Sequence, residues 1–332
     1  NFGVFHYGSF SGKVFNDING DTLMDGNDLG IASATVYIRR VNELSPFDST
    51  QTDANGSFAF TSLRFGTYFF VAKAGNGIAQ SRFSQNSIIQ NIESGTASIG
   101  NNFALFFPAT VSGKKYHDKN ANGIVENNES GISNATVYLI GSSTVDSLVT
   151  DENGLYSFSN IFAGNYSVST SRTLNGGELS TSPISISVTS GSSFSGIDFG
   201  EYVPVTITVH KFEDGDGDTS TTNDQTSKGW FLSIYKGVMD SLLSSGNIST
   251  LTLSGLKPGN NFSVIESDSS LWINVSTKVT NNNVVQINPT AINGRTGMQF
   301  PSTSGDNFVI TFINYQLRSE EHTSELQSRF GI

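Results

Sequence analysis

The chain of 332 residues contains no cysteine, which excludes disulfide bonds and thiolate metal sites. Charged residues are only 14% of the chain, and no cluster of Lys or Arg accompanies the net charge of −11, so nucleic acid and anionic membranes are not expected partners. The sequence contains no run of about 18 apolar residues, so no membrane-spanning helix is predicted. Because no Ser/His/Asp set, phosphate-binding glycine loop or zinc spacing is found, we predict a non-enzymatic protein.

What the sequence does contain favours β-structure. Gly, Ser, Thr and Asn are abundant, and 25 Phe and 10 Tyr supply large apolar side chains. Aromatic and β-branched residues fit pleated sheets, and Asn-Gly pairs such as Asn55-Gly56 favour hairpin turns. Ile184, Ile186 and Val188 alternate with small polar residues, which is typical of a strand with one buried and one solvated face. The composition therefore predicts an all-β chain.

Internal repeats divide this chain. The segment SGKVFNDINGDTLMDGNDLGIASATVYI at 11–38 aligns without gaps with SGKKYHDKNANGIVENNESGISNATVYL at 112–139. Further on, TDANGSFAFTSLRFGTY at 52–68 matches TDENGLYSFSNIFAGNY at 150–166. A third, diverged unit begins at VTITVHKFEDGDGD and ends at VITFINYQ, residues 309–316.

Each unit has about seven short strands, which predicts an immunoglobulin-like or transthyretin-like β-sandwich. No Gly/Ser-rich or Pro-rich linker separates the units, so we expect a stiff tandem array. Residues 1–10 are expected to be the last strand of a preceding repeat. Residues 318–332 are expected to be an artefactual tail, because 318–328 resemble a translated sequencing adapter. The three predicted sandwiches are 11–108, 109–203 and 204–317.

An acidic loop follows the first strand of each unit. In unit 2, DKNANGIVENNE at 118–129 satisfies the whole D-x-[DN]-x-[DN]-G-x5-E pattern, in which alternate oxygen ligands converge on one calcium ion. Its flanks are β-branched and aromatic, so they predict strands and not the helices of a calcium sensor. The candidate ligands in unit 2 are Asp118, Asn120, Asn122, the carbonyl of Ile124, Glu126 and Glu129.

The loops of units 1 and 3 depart from this pattern. Thr22 replaces the Gly at position 6 of unit 1, and Asp28 is shorter than Glu at position 12, which predicts weaker binding. In unit 3, extra residues precede Asp224, and position 12 is Gln225. The candidate ligands in unit 1 are Asp17, Asn19, Asp21, the carbonyl of Leu23, Asp25 and Asp28. Those in unit 3 are Asp214, Asp216, Asp218 and Asp224.

The competing interpretation is that all three loops are solvated acidic turns without an ion. Against it, carboxylates held a few ångströms apart repel by up to about 4 kcal/mol per pair at a surface-like dielectric, and the arrangement recurs in three units. We therefore predict calcium as the cofactor, with dissociation constants of roughly 10⁻⁴–10⁻³ M. Magnesium is less favoured because it prefers few protein ligands and rigid octahedral geometry.

The sequence FNDINGDTLMDGNDLGI at 15–31, followed by TDANGSFAFTSLRFGTY at 52–68, resembles the B-type domains of serine–aspartate-repeat surface adhesins (SdrD B-like domains). The resemblance covers residues 11–203 strongly and 204–316 more weakly. It implies calcium-stiffened spacers in an extracellular protein, secreted or on the bacterial cell surface, between a ligand-binding head and a wall anchor. The partners it implies are neighbouring repeats, and a host protein, matrix protein or glycan stays open as the target.

Unit 3 carries a second candidate site, formed by Lys211, Glu266 and Asn314. Collagen-adhesin B-type and pilin domains, which unit 3 resembles here, join a Lys to an Asn as an intramolecular isopeptide. That chemistry needs a buried neutral amine near an amide, with a protonated acid polarising the carbonyl. The alternative is that these are ordinary surface polar residues. In unit 2, Glu201 stands where Asn314 would.

The leading prediction is a non-catalytic calcium-stabilised stalk. The alternative is a carbohydrate- or protein-binding module of a large secreted enzyme or adhesin, with unit 3 as the binder. Trp230 and Trp272 distinguish the two, because an exposed aromatic strip would favour binding whereas buried rings would favour the stalk.

Overall fold

The computed structural model describes six stretches of the chain, and over these stretches it contains strands and turns but no helix. Nothing in the described part is a helix of the length and apolar character needed to cross a membrane. The all-β prediction is confirmed. The described residues are 4–75, 86–215, 224–226, 230–267, 272–286 and 296–316.

The first sandwich packs two sheets around an aromatic core. Its strands are β1 (Gly8–Asn16), β2 (Leu29–Gly30), β3 (Thr35–Arg40), β4 (Asp48–Gln51), β5 (Ser57–Leu63), β6 (Gly66–Lys73), β7 (Ser87–Ile92), β8 (Ala97–Ser98) and β9 (Phe103–Leu105). One sheet has the order β2-β1-β5, with β8 and β9 also pairing β1, and the other is β4-β3-β6-β7. The rings of Phe10 and Phe70 stack between the two sheets, with their centroids 3.6 Å apart. Strand β1 begins at Gly8, earlier than the boundary predicted at residue 11.

The middle sandwich repeats this arrangement. Its strands are β10 (Ala109–His117), β11 (Thr136–Ile140), β12 (Val145–Val149), β13 (Leu155–Ile161), β14 (Gly164–Thr170), β15 (Glu178–Leu179), β16 (Ile184–Val188), β17 (Ser193–Phe194) and β18 (Phe199–Tyr202). The sheets are β13-β10-β18-β15, with β17 pairing β10, and β12-β11-β14-β16. In β16, Ile186 and Val188 are buried while Ser185 and Ser187 are exposed, as their alternation predicts.

The third sandwich has longer strands and the same core plan. Its strands are β19 (Val205–Asp214), β20 (Gln225–Thr226), β21 (Phe231–Lys236), β22 (Ser241–Asn247), β23 (Thr250–Leu256), β24 (Asn261–Glu266), β25 (Trp272–Asn281), β26 (Val284–Gln286), β27 (Gly297–Pro301) and β28 (Asn307–Gln316). One sheet is β20-β19-β28-β25-β26, with β23 pairing β19, and the other is β22-β21-β24-β27. Apolar residues of both sheets, such as Val209 and Val264, form one core.

The Asn55-Gly56 turn is not a hairpin, so that prediction is wrong. Strands β4 and β5 on its two sides belong to different sheets, and the turn carries the chain from one sheet to the other. Gly56 has a φ of +76°, which suits glycine, and Asp53 Oδ1 accepts the N–H groups of Asn55 and Ser57, both at 2.8 Å. An Asx turn therefore fixes this crossing.

The chain forms two compact units, and the middle sandwich contributes to both. The first unit contains residues 1–114, 133–171 and 183–197, and the second contains 115–132, 172–182 and 198–332.

Candidate functional sites

The acidic loop of the first sandwich begins at Asp17, directly after β1. Asp17 is fully buried, and its Oδ1 accepts the N–H groups of Gly20 and Asp21 at 2.7 and 3.2 Å, while Oδ2 accepts that of Thr22 at 3.0 Å. Burial raises the pKa of Asp17, those N–H groups lower it, and the carboxylates of Asp28 and Asp21 raise it again. The loop therefore wraps its backbone around a buried acid beside like charges.

The loop of the middle sandwich repeats this geometry. Asp118 is also fully buried, and its two oxygens accept the N–H groups of Asn122 at 3.1 Å and Gly123 at 2.8 Å. Gly123 and Thr22 occupy the same loop position and have φ values of +78° and +68°. A left-handed backbone at a β-branched residue such as Thr22 costs of order 1–3 kcal/mol. The loop shape thus persists where the expected glycine is missing.

Asp28 and Glu129, at the last position of the two loops, bind the loop backbone. Asp28 accepts the N–H groups of Ile18, the second loop residue, at 2.9 Å and of the ninth residue at 3.1 Å. Glu129 makes the same two contacts, with Lys119 at 2.8 Å and with the ninth residue at 3.1 Å. The shorter Asp28 therefore closes its loop as Glu129 does.

The other candidate ligands lie together in each loop. Asn19 Nδ2 donates to the carboxylates at loop positions 5 and 9, at 2.9 and 3.4 Å. Asn120 and Asn122 both donate to Glu126, at 3.0 Å each. Carboxylate and amide oxygens are ligands that suit calcium, so the donor chemistry fits that ion. Within the described ranges, no three His, Asp or Glu side chains form a group able to hold a metal, so the fit depends on Asn and carbonyl oxygens as well.

In the third loop, Asp214 ends β19 and is buried, and Asp224 Oδ1 accepts the N–H of Gly215 at 3.1 Å. Asp216 and Asp218 lie outside the described residues. The ligand set of this loop stays a prediction.

Tyr116, Ser180 and Thr181 bring hydroxyl groups to the second loop that its spacing pattern does not reveal. Their oxygens are buried, and over the described part of the chain no hydrogen-bond partner is found for them. Burial and then the loop carboxylates raise the pKa of Tyr116. A Cβ on Gly200 would collide with Ser180 Oγ and would lie 2.9 Å from Asp118 Oδ2, so this glycine leaves room for both groups.

The third sandwich brings Lys211, Glu266 and Asn314 together in its interior. They are 0%, 2% and 2% exposed, so they are not surface polar residues. Lys211 Nζ lies 2.7 Å from Glu266 Oε2, and Asn314 Nδ2 donates to the same oxygen at 3.4 Å. Asn274, which no sequence motif marks, donates to Asn314 Oδ1 at 3.0 Å and to Glu266 Oε1 at 3.3 Å. The strand register reveals it, because Asn274 on β25 pairs with Asn314 on β28.

Burial governs the charges at this site. It lowers the pKa of Lys211 to about 8, against the attraction of Glu266. It also raises the pKa of Glu266, against the opposing effects of Lys211 and the two amides. Trp230 is buried with its ring centroid 4.5 Å from Lys211 Nζ, and it meets the half-buried Trp272 edge to face at 5.8 Å. Trp230 packs against the lysine and Trp272 packs against Trp230, so the two rings do not form an exposed strip.

The middle sandwich has an ion pair at the corresponding place. Lys115 Nζ lies 2.8 Å from Glu201 Oε2, and both side chains are fully buried. Glu201 Oε1 also accepts the N–H groups of Thr173 and Leu174, each at 2.7 Å. Burial lowers the pKa of Lys115, and the pairing with Glu201 raises it. The register of β10 with β18 matches that of β19 with β28, so Glu201 takes the position of Asn314, as the sequence predicts.

Tandem β-sandwiches with an acidic loop after the first strand define the class of this chain. The family model of the SdrD B-like domain matches residues 8–102 and 109–198, more than half of the sequence. The chain belongs to the SdrD B-like domain family.

Named relatives share part of this chain. Serine-aspartate repeat-containing protein F of Staphylococcus epidermidis is 28% identical over 166 residues, which are 46% of this chain and 10% of that protein. Colossin-A of Dictyostelium discoideum is 30% identical over 184 residues, 47% of this chain and 2% of that protein. Serine-aspartate repeat-containing protein C of Staphylococcus aureus (strain Newman) is 28% identical over 170 residues, which are 47% of this chain and 18% of that protein. The matches span under a fifth of each relative.

Among solved structures, the Bacillus anthracis TIE protein aligns over 94% of this chain and 51% of its own chain, at 12% identity and a TM-score of 0.33. GBS52, the minor pilin of Streptococcus agalactiae, aligns over 58% of this chain and 95% of its own at 11% identity and a TM-score of 0.28. The sandwich assignment here rests on the strands and cores described above.

Proposed function

We propose that this chain is a non-catalytic stalk segment of an extracellular bacterial protein, secreted or on the cell surface, and that calcium stabilises its acidic loops. The observation that carries the proposal is the buried aspartate at the start of two loops, Asp17 and Asp118, each wrapped by its own loop backbone. Family membership and the serine-aspartate repeat-containing relatives support a role as a repeated surface module.

Calcium addresses the main electrostatic problem of these loops. The twelve-residue loop from Asp17 to Asp28 carries four aspartates and no Lys or Arg. Burial and neighbouring negative charges make a carboxyl group harder to ionise, and both raise the pKa of Asp17. A divalent cation held by hard oxygen ligands would reverse that penalty. In this role Asp17 and Asp118 would be ligands at the loop base, and Asn19 and Asn120 would supply neutral oxygens.

Thermal unfolding of the full chain with calcium and with chelator tests this proposal. Calcium at about 100 times its dissociation constant should stabilise a folded site by about 2.7 kcal/mol, which raises the melting temperature. Asp118→Asn should remove the calcium effect on the middle sandwich, whereas Asp146→Asn, an exposed aspartate of the same sandwich, should keep it. Identical melting of the natural chain in calcium and in chelator would overturn the proposal.

We also propose that Lys211 and Asn314 form an intramolecular isopeptide bond in the third sandwich. The shared hydrogen bonding of both side chains to Glu266 favours it. The neutral amine of Lys211 attacks the side-chain carbon of Asn314, a new C–N bond forms, the C–NH₂ bond breaks and ammonia leaves. Glu266 relays the proton from the Lys211 nitrogen to the leaving group. Asn274 donates to the carbonyl oxygen of Asn314, where negative charge develops.

Intact mass of the purified chain tests the bond. The natural chain should be lighter than its calculated mass by one ammonia, and a proteolytic digest should contain the Lys211 and Asn314 segments joined. Asn314→Ala and Glu266→Ala should each restore the full calculated mass, while His210→Ala, next to Lys211 on β19, should leave the loss intact. A natural chain at full mass would rule the bond out.

The geometry of the third sandwich does not favour the carbohydrate-binding alternative. Trp230 is buried against Lys211, and Trp272 packs edge to face with Trp230. Stacking on a sugar requires an aromatic face that is open to solvent. Because Trp230 is buried and Trp272 is half-buried, the two rings do not present an open aromatic strip to a sugar.

A further inference from the structure

Each sandwich has a Ser-Gly turn that holds the chain just before its own first strand. The N–H of the residue two positions before that strand donates to the serine Oγ, and its carbonyl accepts the N–H of the glycine. The distance from the N–H nitrogen to the serine Oγ is 3.0 Å for His6 and Ser94, 2.8 Å for Phe107 and Ser190, and 2.7 Å for Val203 and Ser304. The distance from the following glycine nitrogen to the carbonyl oxygen is 3.0, 2.7 and 2.9 Å in the same order.

In the middle sandwich, this turn also holds the acidic loop of the first sandwich. Ser190 N donates to the carbonyl of Ile18 at 3.0 Å, and Ser190 Oγ donates to Asn16 Oδ1 at 2.5 Å. Ile18 is the loop residue whose N–H is bound by Asp28. One residue therefore connects the closing carboxylate of a loop to the next sandwich.

The third sandwich holds the second loop in the same way. Ser304 N donates to the carbonyl of Lys119 at 2.8 Å, and Lys119 N–H is bound by Glu129 Oε1. Ser304 Oγ lies 2.7 Å from His117 Nε2. Ser304 Oγ also accepts the N–H of Val203, and the histidine tautomer sets which atom donates between Ser304 Oγ and His117 Nε2. His117 follows Lys115 and Tyr116 as Asn16 follows Val14 and Phe15, so both joints use equivalent residues.

Close packing accompanies these hydrogen bonds. A Cβ on Gly20 would lie 2.9 Å from the Cβ of Ala163, and a Cβ on Gly259 would collide with the backbone carbonyl of Asn120. Each loop is thus pressed against a turn of the next sandwich. All residues of the first joint belong to the first compact unit, and all residues of the second joint belong to the second unit.

We propose that each acidic loop is a docking element whose partner is the Ser-Gly turn of the following SdrD B-like sandwich. Ser190 and Ser304 are the positioning residues, and the closing carboxylates Asp28 and Glu129 transmit loop order to the joint. The role of calcium in ordering the loop rests on the proposed function, while the docking itself rests on the hydrogen bonds. The loop sequence thereby governs the stiffness of the joint as well as the stability of its own sandwich.

Spin-label distances in the full chain test the joints. The chain has no cysteine, so N175C with V284C reports the second joint and I89C with V145C reports the first, each pair within one compact unit and all at exposed positions. Ser304→Ala should broaden the 175–284 distance distribution and leave the 89–145 distribution unchanged. Ser190→Ala should do the reverse.

The loop itself provides the decisive variant. Glu129 lies outside the third sandwich, yet Glu129→Ala should broaden the 175–284 distribution as Ser304→Ala does, because it releases the N–H of Lys119. Ser94→Ala is the matched control and should change neither distribution. Ser304→Thr keeps the hydroxyl and should restore the narrow distribution. Circular dichroism checks that each variant stays folded, and a variant that unfolds is replaced by another that removes the same contact, Ser304→Gly for the hydroxyl or Glu129→Gln, whose amide has one acceptor oxygen for two N–H groups.

Two results would separate this inference from calcium binding. If Ser190→Ala and Ser304→Ala both give the natural distributions in calcium and in chelator, the docking inference is overturned even where calcium raises the melting temperature. If the serine variants broaden the distributions but calcium has no effect on melting, docking holds and the calcium proposal falls.

Discussion

At the same three buried strand positions, the first sandwich has apolar side chains and the third has charged or polar ones. The first has Val14, Ala72 and Leu105, and the third has Lys211, Glu266 and Asn314. The strand registers establish the equivalence, since Val14 pairs with Phe103 as Lys211 pairs with Phe312, and Ala72 pairs with Val36 as Glu266 pairs with Leu232. One fold therefore accepts either an apolar set or an ionisable set in its interior.

The difference shows what an ionisable set requires. An apolar set needs only packing, whereas each buried charge loses several kcal/mol of hydration that partners must replace. The third sandwich supplies Glu266 for Lys211, together with two amides. The middle sandwich lies between these cases, with Thr170 at the acid position and Glu201 opposite Lys115. Partners and not the fold itself decide whether a lysine can be buried there.

The largest expected effect comes from breaking the ion pair of the middle sandwich. Glu201→Ala should destabilise this sandwich by about 3–5 kcal/mol, because it leaves Lys115 charged and buried without its partner. The double variant Lys115→Val with Glu201→Leu, which copies Val14 and Leu105, should be more stable than Glu201→Ala alone. Hydrogen exchange measured by mass spectrometry locates the change in β10 and β18. A single variant as stable as the natural chain would contradict this comparison.

A pH effect should separate the third sandwich from the first. In the Asn314→Ala variant, which cannot crosslink, burial should still hold the pKa of Lys211, about 8 in the natural chain, below the 10.5 of an unfolded lysine. Between these values the unfolded chain binds more protons, so the free energy of unfolding should rise as pH increases through that window. Urea unfolding at several pH values measures the slope. Adding Lys211→Met should remove this contribution, and an unchanged slope would show that Lys211 does not titrate there.

The smallest expected effect compares the two loops. Thr22→Gly should stabilise the first sandwich by about 1 kcal/mol, because it relieves a left-handed φ at a β-branched residue. The reciprocal Gly123→Thr should destabilise the middle sandwich by a similar amount. Thermal unfolding in chelator isolates the backbone term from any bound ion. Equal melting of Thr22→Gly and the natural chain would mean that the loop already absorbs the strain.

Sequence patterns with local causes were the most predictable part of this protein. The repeats predicted three sandwiches, and the spacing that begins at Asp17 and Asp118 predicted two loops whose first residue the backbone wraps. Such contacts involve residues close in the chain, so spacing alone specifies them. The equivalence of Glu201 with Asn314 also followed from comparing the units, whereas the ion pair of Glu201 with Lys115 was not predicted. The calcium sites and the isopeptide stay predictions.

Tertiary structure decided the contacts between residues far apart in sequence. Asn274 reaches Asn314 only through the register of β25 with β28, and no motif marks it. Ser190 and Ser304 look like ordinary turn serines until folding brings them to the preceding loop. The sequence by itself determined the strands, repeats and loops, because these depend on local pattern. Burial, pairing and docking depended on the fold, because only the fold sets which distant groups share a site.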